Sequence, residues 1–128
     1  MKNPQLYLQQ TDAKGRGVYT RKPIKEGVII ESSPVIIMSN EDRLHLDQTL
    51  LHDYIFEWQP DGAAMCCVAL GWVSLYNHSY TSNCEYYMDY DTDTIYIQAI
   101  RDIDAGEEVT INYNGTWDKE DKLWFDVK

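Results

Sequence analysis

The segment Ala69-Leu70-Gly71-Trp72-Val73-Ser74-Leu75-Tyr76-Asn77-His78-Ser79, answered further on by Gly106-Glu107-Glu108-Val109-Thr110-Ile111-Asn112-Tyr113, decides how this chain is read. The second string opens on a turn at Asp104-Ala105-Gly106, and its β-branched run then predicts a strand from Val109 to Tyr113. Alone, Tyr113 is an aromatic on a half-buried strand, an ordinary place for tyrosine. Asn77-His78-Ser79 fits an N-glycosylation acceptor, as does Asn114-Gly115-Thr116. No apolar signal core lies behind Met1-Lys2-Asn3-Pro4-Gln5, so both matches read as coincidence.

Upstream, Gly17–Thr20, Val28–Glu31 and Val35–Met38 are β-branched runs punctuated by Pro23, Gly27 and Pro34. They predict short antiparallel strands joined by tight turns. From Ser39, with Asp42 three residues on, a capping box predicts a helix start. Leu46, Leu50, Leu51, Tyr54, Ile55 and Trp58 recur at helical intervals and predict about four to five turns, ending at Pro60 with a turn at Asp61-Gly62. Met65 to Leu75 reads as a shorter helical or irregular piece. Tyr86–Met88 and Ile95–Ala99 flank an aspartate-rich turn and predict a β-hairpin. That turn lacks the glycine and bidentate glutamate of a calcium loop.

The 128 residues suffice for one domain with a buried core. An apolar content of 44% with 25% charged residues reads as globular. No stretch approaches the roughly 18 apolar residues of a membrane span. Eleven basic against 21 acidic side chains leave a net charge of −10. That balance argues against nucleic-acid binding and favours a basic partner, or else serves solubility alone. Cys66, Cys67 and Cys84 offer neither a disulfide framework nor zinc spacing, so no metal is expected. A cytoplasmic protein is expected, or a nuclear one if the host has a nucleus.

In combination, Asn77-His78-Ser79 and Gly106 to Tyr113 resemble the signature of the SET-domain family. Most of that family transfers a methyl group from S-adenosylmethionine to a protein lysine, releasing S-adenosylhomocysteine. Lys14-Gly15-Arg16-Gly17 extends the resemblance, since a Gly-x-Gly near the N-terminus cradles the cofactor's methionine part in SET domains. Glycines allow such close backbone approach, although a lone Gly-x-Gly is an ordinary turn. Pro23-Ile24-Lys25-Glu26-Gly27-Val28 follows the family shape, with Val28 where glutamate is common. Family members place Pro-Asn after Asn-His-Ser; Ser82-Asn83 lacks the proline, which predicts a looser turn.

The resemblance implies a mainly β, β-clip fold: several small antiparallel sheets, one main helix and a C-terminal pseudoknot. In it, the last strand threads beneath the Asn77-His78 loop. It implies one SET domain over residues 1–128, with a motif-bearing core of about 14–115 and a cofactor-covering tail of about 116–128. Tyr113 is the catalytic candidate, and the Asn77 side chain and His78 backbone are expected to hold the cofactor. Tyr54 resembles an aromatic beside the cofactor and lysine channel, or is a core residue on an amphipathic helix. Trp124, with Trp117 and Phe125 as rivals, is placed to stack on the adenine, or merely docks the terminus. Such an enzyme needs no metal and no dedicated base. It needs alignment of a neutral lysine nitrogen with the methyl group.

The alternatives are a catalytically inactive SET-like module that binds a basic protein, and a β-clip protein for small ligands. A homodimer is one way to supply targeting that the chain itself lacks.

Overall fold

Alternation of apolar and polar residues sets the architecture, and the strands it specifies curl into two sheets. The computed structural model describes residues 2–11, 15–60 and 65–113. Along these run β1 (Leu6–Thr11), β2 (Gly15–Thr20), β3 (Ile29–Met38), α1 (Asn40–Leu46), β4 (Phe56–Trp58), β5 (Met65–Ala69), β6 (Asn77–His78), β7 (Cys84–Asp89), β8 (Thr94–Ala99) and β9 (Glu108–Ile111). Two 3-10 turns, Leu50–Tyr54 and Val73–Leu75, lie between them. The strand orders are β1-β2-β9-β6 and β4-β5-β3-β8-β7.

The predicted hairpin is present as β7 and β8, in register from Cys84↔Ala99 to Asp89↔Thr94. Ile95, Ile97 and Ala99 point into the core, while Tyr87 and Tyr96 stack on the other face with ring centroids 5.0 Å apart. Burying each isoleucine is worth about 1.5–3 kcal/mol. β1, unmarked in the sequence, pairs with β2 along its whole length.

Three expected elements change. The long helix from Ser39 to Pro60 is replaced by α1, a separate 3-10 turn and β4. Ser39 does cap α1, accepting the Asp42 amide, but α1 buries no residue and so has no core contact to prolong it. Thr49 then caps the 3-10 turn through the Leu51 amide, and Phe56-Glu57-Trp58 alternates in–out–in against β5. Trp58 lies at the core under either period, so the apolar spacing alone did not distinguish helix from strand.

The turn expected at Pro34 is absent, and Ile29–Met38 is one ten-residue strand. Pro34 sits where β3 changes partner, from β8 at residues 29–34 to β5 at residues 35–38, so its missing N–H interrupts no ladder. Met65–Ala69, expected to be helical or irregular, is a strand because β3 and β4 complete its hydrogen bonding on both edges.

β9 is the element on which the site is assembled. It pairs antiparallel with β2 (Val18↔Val109) and parallel with β6 (Asn77↔Thr110, His78↔Ile111). This is the crossing of distant segments that the pseudoknot expectation described. Two paired residues are too few to hold a strand, and the loop after β6 adds the rest. The Ser79 amide donates to the Ile111 carbonyl (2.9 Å). Asn83, 1% exposed, donates its side-chain amide to the Glu108 carbonyl (2.8 Å) and the Glu107 carboxylate (3.2 Å), and accepts the Thr110 amide (2.9 Å). The turn that lacks proline is therefore not loose, because Asn83 fixes it to β9 from within.

Burial pushes the Cys67 and Cys84 thiols from 9.0 up to about 12, and the Tyr86 phenol from 10.0 up to about 12. In the unfolded chain these groups ionise first, so the stability they contribute is complete below about pH 9 and is lost as pH rises toward 12. The urea midpoint is expected to fall steadily between about pH 9 and pH 11. Asn83→Ala, which strips three bonds from the crossing, is expected to cost about 2–4 kcal/mol in the same assay.

Candidate active site

The β6–β9 crossing sets three groups of residues side by side: the Gly15-Arg16-Gly17 end of β2, Asn77-His78 on β6, and Glu108 through Tyr113 on and after β9. At the first corner the Asn77 side-chain amide donates to the Arg16 carbonyl (3.1 Å) and to the Glu108 carboxylate (2.7 Å). Both amide hydrogens are then engaged, and the Asn77 carbonyl oxygen is the side chain's remaining polar atom, an acceptor for a ligand amine. Gly17 is required at this corner. A Cβ built there would lie 2.5 Å from Glu108 Oε2 and 2.9 Å from Asn77 Nδ2, inside the space that their hydrogen bond occupies. A corner with close-approaching backbone and an oriented side-chain acceptor fits the amino-acid end of a cofactor such as S-adenosylmethionine.

At the second corner His78 is buried, and its Nδ1 accepts the Tyr113 amide (3.0 Å). Its ring packs edge-on to Tyr80 at 4.4 Å and tilted to Tyr113 at 5.1 Å. The Nδ1 side of the imidazole is thus committed to holding Tyr113. The Tyr113 hydroxyl donates to the Tyr76 carbonyl (2.6 Å), and the Tyr86 hydroxyl donates to the Tyr113 carbonyl (3.2 Å). Burial, followed by the charges of Tyr54, Glu108 and Asp53, raises the Tyr113 phenol above its ordinary value. It therefore stays protonated at neutral pH, with its hydrogen directed at the Tyr76 carbonyl.

Tyr113 forms part of the lining of a cavity of about 390 Å³. Its walls include Ile55, Phe56, Met88 and Tyr86, and Asp47, Asp53 and Glu57 are exposed at its edge. Arg43 pairs with Glu57 (3.2 Å) and reaches Asp47 at 4.0 Å, so two of these carboxylates share one guanidinium, and Asp47 also meets His52 Nδ1 at 2.9 Å. The lining thus sets apolar and aromatic side chains beside three carboxylates, Arg43, His52 and Ser74.

Of the sequence candidates, Gly15, Arg16, Gly17, Asn77, His78 and Tyr113 come together as described. Tyr54 ends a 3-10 turn rather than riding on a helix, is half-buried, and lies near enough to Tyr113 to act on it electrostatically. Lys14 and Trp124, with Trp117 and Phe125, lie outside the described residues. The sequence reading missed Glu108, Tyr76 and Tyr86. Glu108 alone left a signal, a carboxylate opening a strand whose next three residues are all buried. Among the described residues no group of three or more His, Cys, Asp or Glu is arranged to hold a metal ion, and no helix is long and apolar enough to cross a membrane.

Comparison with known proteins agrees with the fold. The SET domain family model matches residues 15–114. A Schizosaccharomyces pombe histone-lysine N-methyltransferase, specific for lysine 37 of histone H3, is 33% identical over 122 residues, covering 94% of this chain and 77% of the relative. Among solved structures, a Plasmodium falciparum protein described as a candidate histone methyltransferase superposes with a TM-score of 0.67 at 26% identity. That match covers 93% of this chain and 100% of the other. The ATXR5 SET domain, in complex with histone H3 dimethylated on arginine 26, shares the fold with a TM-score of 0.72 at 18% identity, covering 89% of this chain and 59% of its own. With its strand crossing, its glycine corner and its Asn77-His78 pair all within the residues 15–114 that the family model matches, the chain belongs to the SET-domain family.

Proposed function

We propose that this protein is a protein-lysine methyltransferase that uses S-adenosylmethionine and acts on a basic, lysine-containing protein. One observation carries the reading: Tyr113, its hydroxyl held by the Tyr76 carbonyl, lines a cavity that joins apolar side chains to three carboxylates, while the strand leading to Tyr113 also closes the Gly17–Asn77 corner. When bound, the cofactor supplies a methyl group already activated by its sulfonium. The protein's own task is binding and alignment.

Gly17 lets the backbone approach the cofactor's amino-acid end, and the Asn77 carbonyl oxygen accepts from its amine. Asp47, Asp53 and Glu57 draw a lysine ammonium to the cavity mouth, where water still solvates it. Further in, Ile55, Phe56 and Met88 disfavour the charged form, so the amine, with a solution pKa of about 10.4, gives up a proton to the water at the mouth as it enters. The Tyr113 oxygen, its own proton committed to Tyr76, accepts from the neutral amine and aims the nitrogen lone pair. Tyr113 stays protonated and serves as an orienting group, not as a base. The net charge of −10 and the histone methyltransferase relative both support a basic protein substrate.

Labelled methyl transfer to a lysine peptide array that includes histone tails tests the reading. Signal on lysines, reduced about 100-fold or more in Tyr113→Phe, is the expected result. No transfer, with S-adenosylhomocysteine still bound in calorimetry, would favour the non-catalytic binding module. Gly17→Ala is expected to stay folded by circular dichroism and to weaken S-adenosylhomocysteine binding about tenfold or more, since the new methyl displaces Asn77 and Glu108.

A further inference from the structure

We infer that Glu31, far from the signature strings in sequence, is the positioning residue that fixes the acceptor of the Tyr113 hydroxyl; the inference rests on the methyltransferase reading above. Glu31 lies on β3 and is 1% exposed. A carboxyl group so deep in a protein is costly unless its oxygens are hydrogen-bonded. Here both oxygens accept. Oε1 takes the Tyr76 hydroxyl (2.7 Å), and Oε2 takes the Trp72 amide (2.7 Å) and the Ser33 hydroxyl (2.8 Å).

Two of these three donors are the first and last residues of one five-residue segment, Trp72–Tyr76. That segment contains the second 3-10 turn, closed by the Leu75 amide on the Trp72 carbonyl (2.8 Å). At its centre the Ser74 hydroxyl donates to the Tyr54 carbonyl (2.7 Å), tying it to the 3-10 turn beside the cavity. At its end the Tyr76 carbonyl receives the Tyr113 hydroxyl. One carboxylate therefore grips the segment at both ends. Because the Tyr76 ring is fully buried and anchored at its tip, the peptide at Tyr76 has little freedom to turn its oxygen away.

Gly71 makes this approach possible. Its φ of +141° suits glycine, and a Cβ there would lie 2.5 Å from Ser33 Oγ and 2.6 Å from Glu31 Oε2. The backbone passes so close to the carboxylate that only hydrogen fits between them. Burial, then the charge and hydrogen bond of Glu31, hold the Tyr76 phenol well above its ordinary value, so Tyr76 remains the donor in this pair.

The test uses the whole chain carrying Tyr76→Phe, Glu31→Gln, Tyr113→Phe and the Tyr76→Phe/Tyr113→Phe double substitution. Two readouts are taken: methyl transfer to a histone H3 tail peptide, and the ring-carbon NMR signal of Tyr113 in protein labelled with 13C-tyrosine, identified by its loss in Tyr113→Phe. Tyr76→Phe and Glu31→Gln are each expected to lower kcat about tenfold with KM unchanged, and to move the Tyr113 signal. In the Tyr113→Phe background, Tyr76→Phe should cost nothing more, because the hydroxyl it positions is gone. Additive losses in the double variant, an unchanged kcat, or an unmoved Tyr113 signal would each overturn the inference. Should Glu31→Gln not fold, Tyr76→Phe decides alone. Wild-type protein that transfers no methyl would sink the functional reading instead, and the Tyr113 signal would still decide this one.

Discussion

The parallel contact of Asn77 with Thr110 and His78 with Ile111 is the constraint from which the rest of the molecule follows. It is only two residues long, yet it seats β9 between two segments of distant sequence. The glycine corner and the backbone of Tyr113 are both tied to it. Asn77 looks outward to Arg16 and Glu108, while His78 looks along the chain to the Tyr113 amide. So short a contact persists because the neighbouring loop repeats its work through Asn83 and Ser79, and because Val18, Val109 and Ile111 are buried around it.

Buried polar groups do much of the specifying here. Asn83, His78, Glu31 and Ser33 all sit within the core, each joined to backbone or side chain by hydrogen bonds. An apolar core tolerates small shifts of its side chains, whereas a hydrogen bond of 2.6–2.9 Å does not. The chemistry proposed for this protein depends on aligning reacting atoms, so a core that fixes directions suits it. Glu107 shows the same economy. Burial alone would raise its carboxyl, but the Asp104 amide, the Asn83 amide and Arg101 together hold it below the ordinary value.

Much of the fold was legible because period-2 patterns survive in the sequence. Ile95, Ile97 and Ala99 alternate with Tyr96 and Gln98, and β8 follows. The helix from Ser39 to Pro60 was misread because its apolar residues satisfy both periods, and only the neighbouring β5 decides for a strand at Phe56–Trp58. Pro34 was misread for a related reason. Proline ends a strand only if its N–H side is needed, and the sequence does not show which edge of β3 is paired at that point. The site was legible at Gly17, Asn77, His78 and Tyr113, which stand in contiguous strings. Glu31, Tyr76 and Tyr86 were not, since nothing in their local sequence sets them apart from the other glutamates and tyrosines of the chain.

By itself, then, the sequence determined the strand texture, the cap at Ser39, the glycines that permit close approach, and the family to which Asn77-His78-Ser79 and Gly106 to Tyr113 point. Those are local properties, fixed by the conformational preferences of a few adjacent residues. The tertiary structure decided which carbonyl receives the Tyr113 hydroxyl, which carboxylate holds Asn77, and that Glu31 reaches both ends of a turn 41 and 45 residues away. A hydrogen bond depends on distance and direction in space, and no spacing along the chain encodes either.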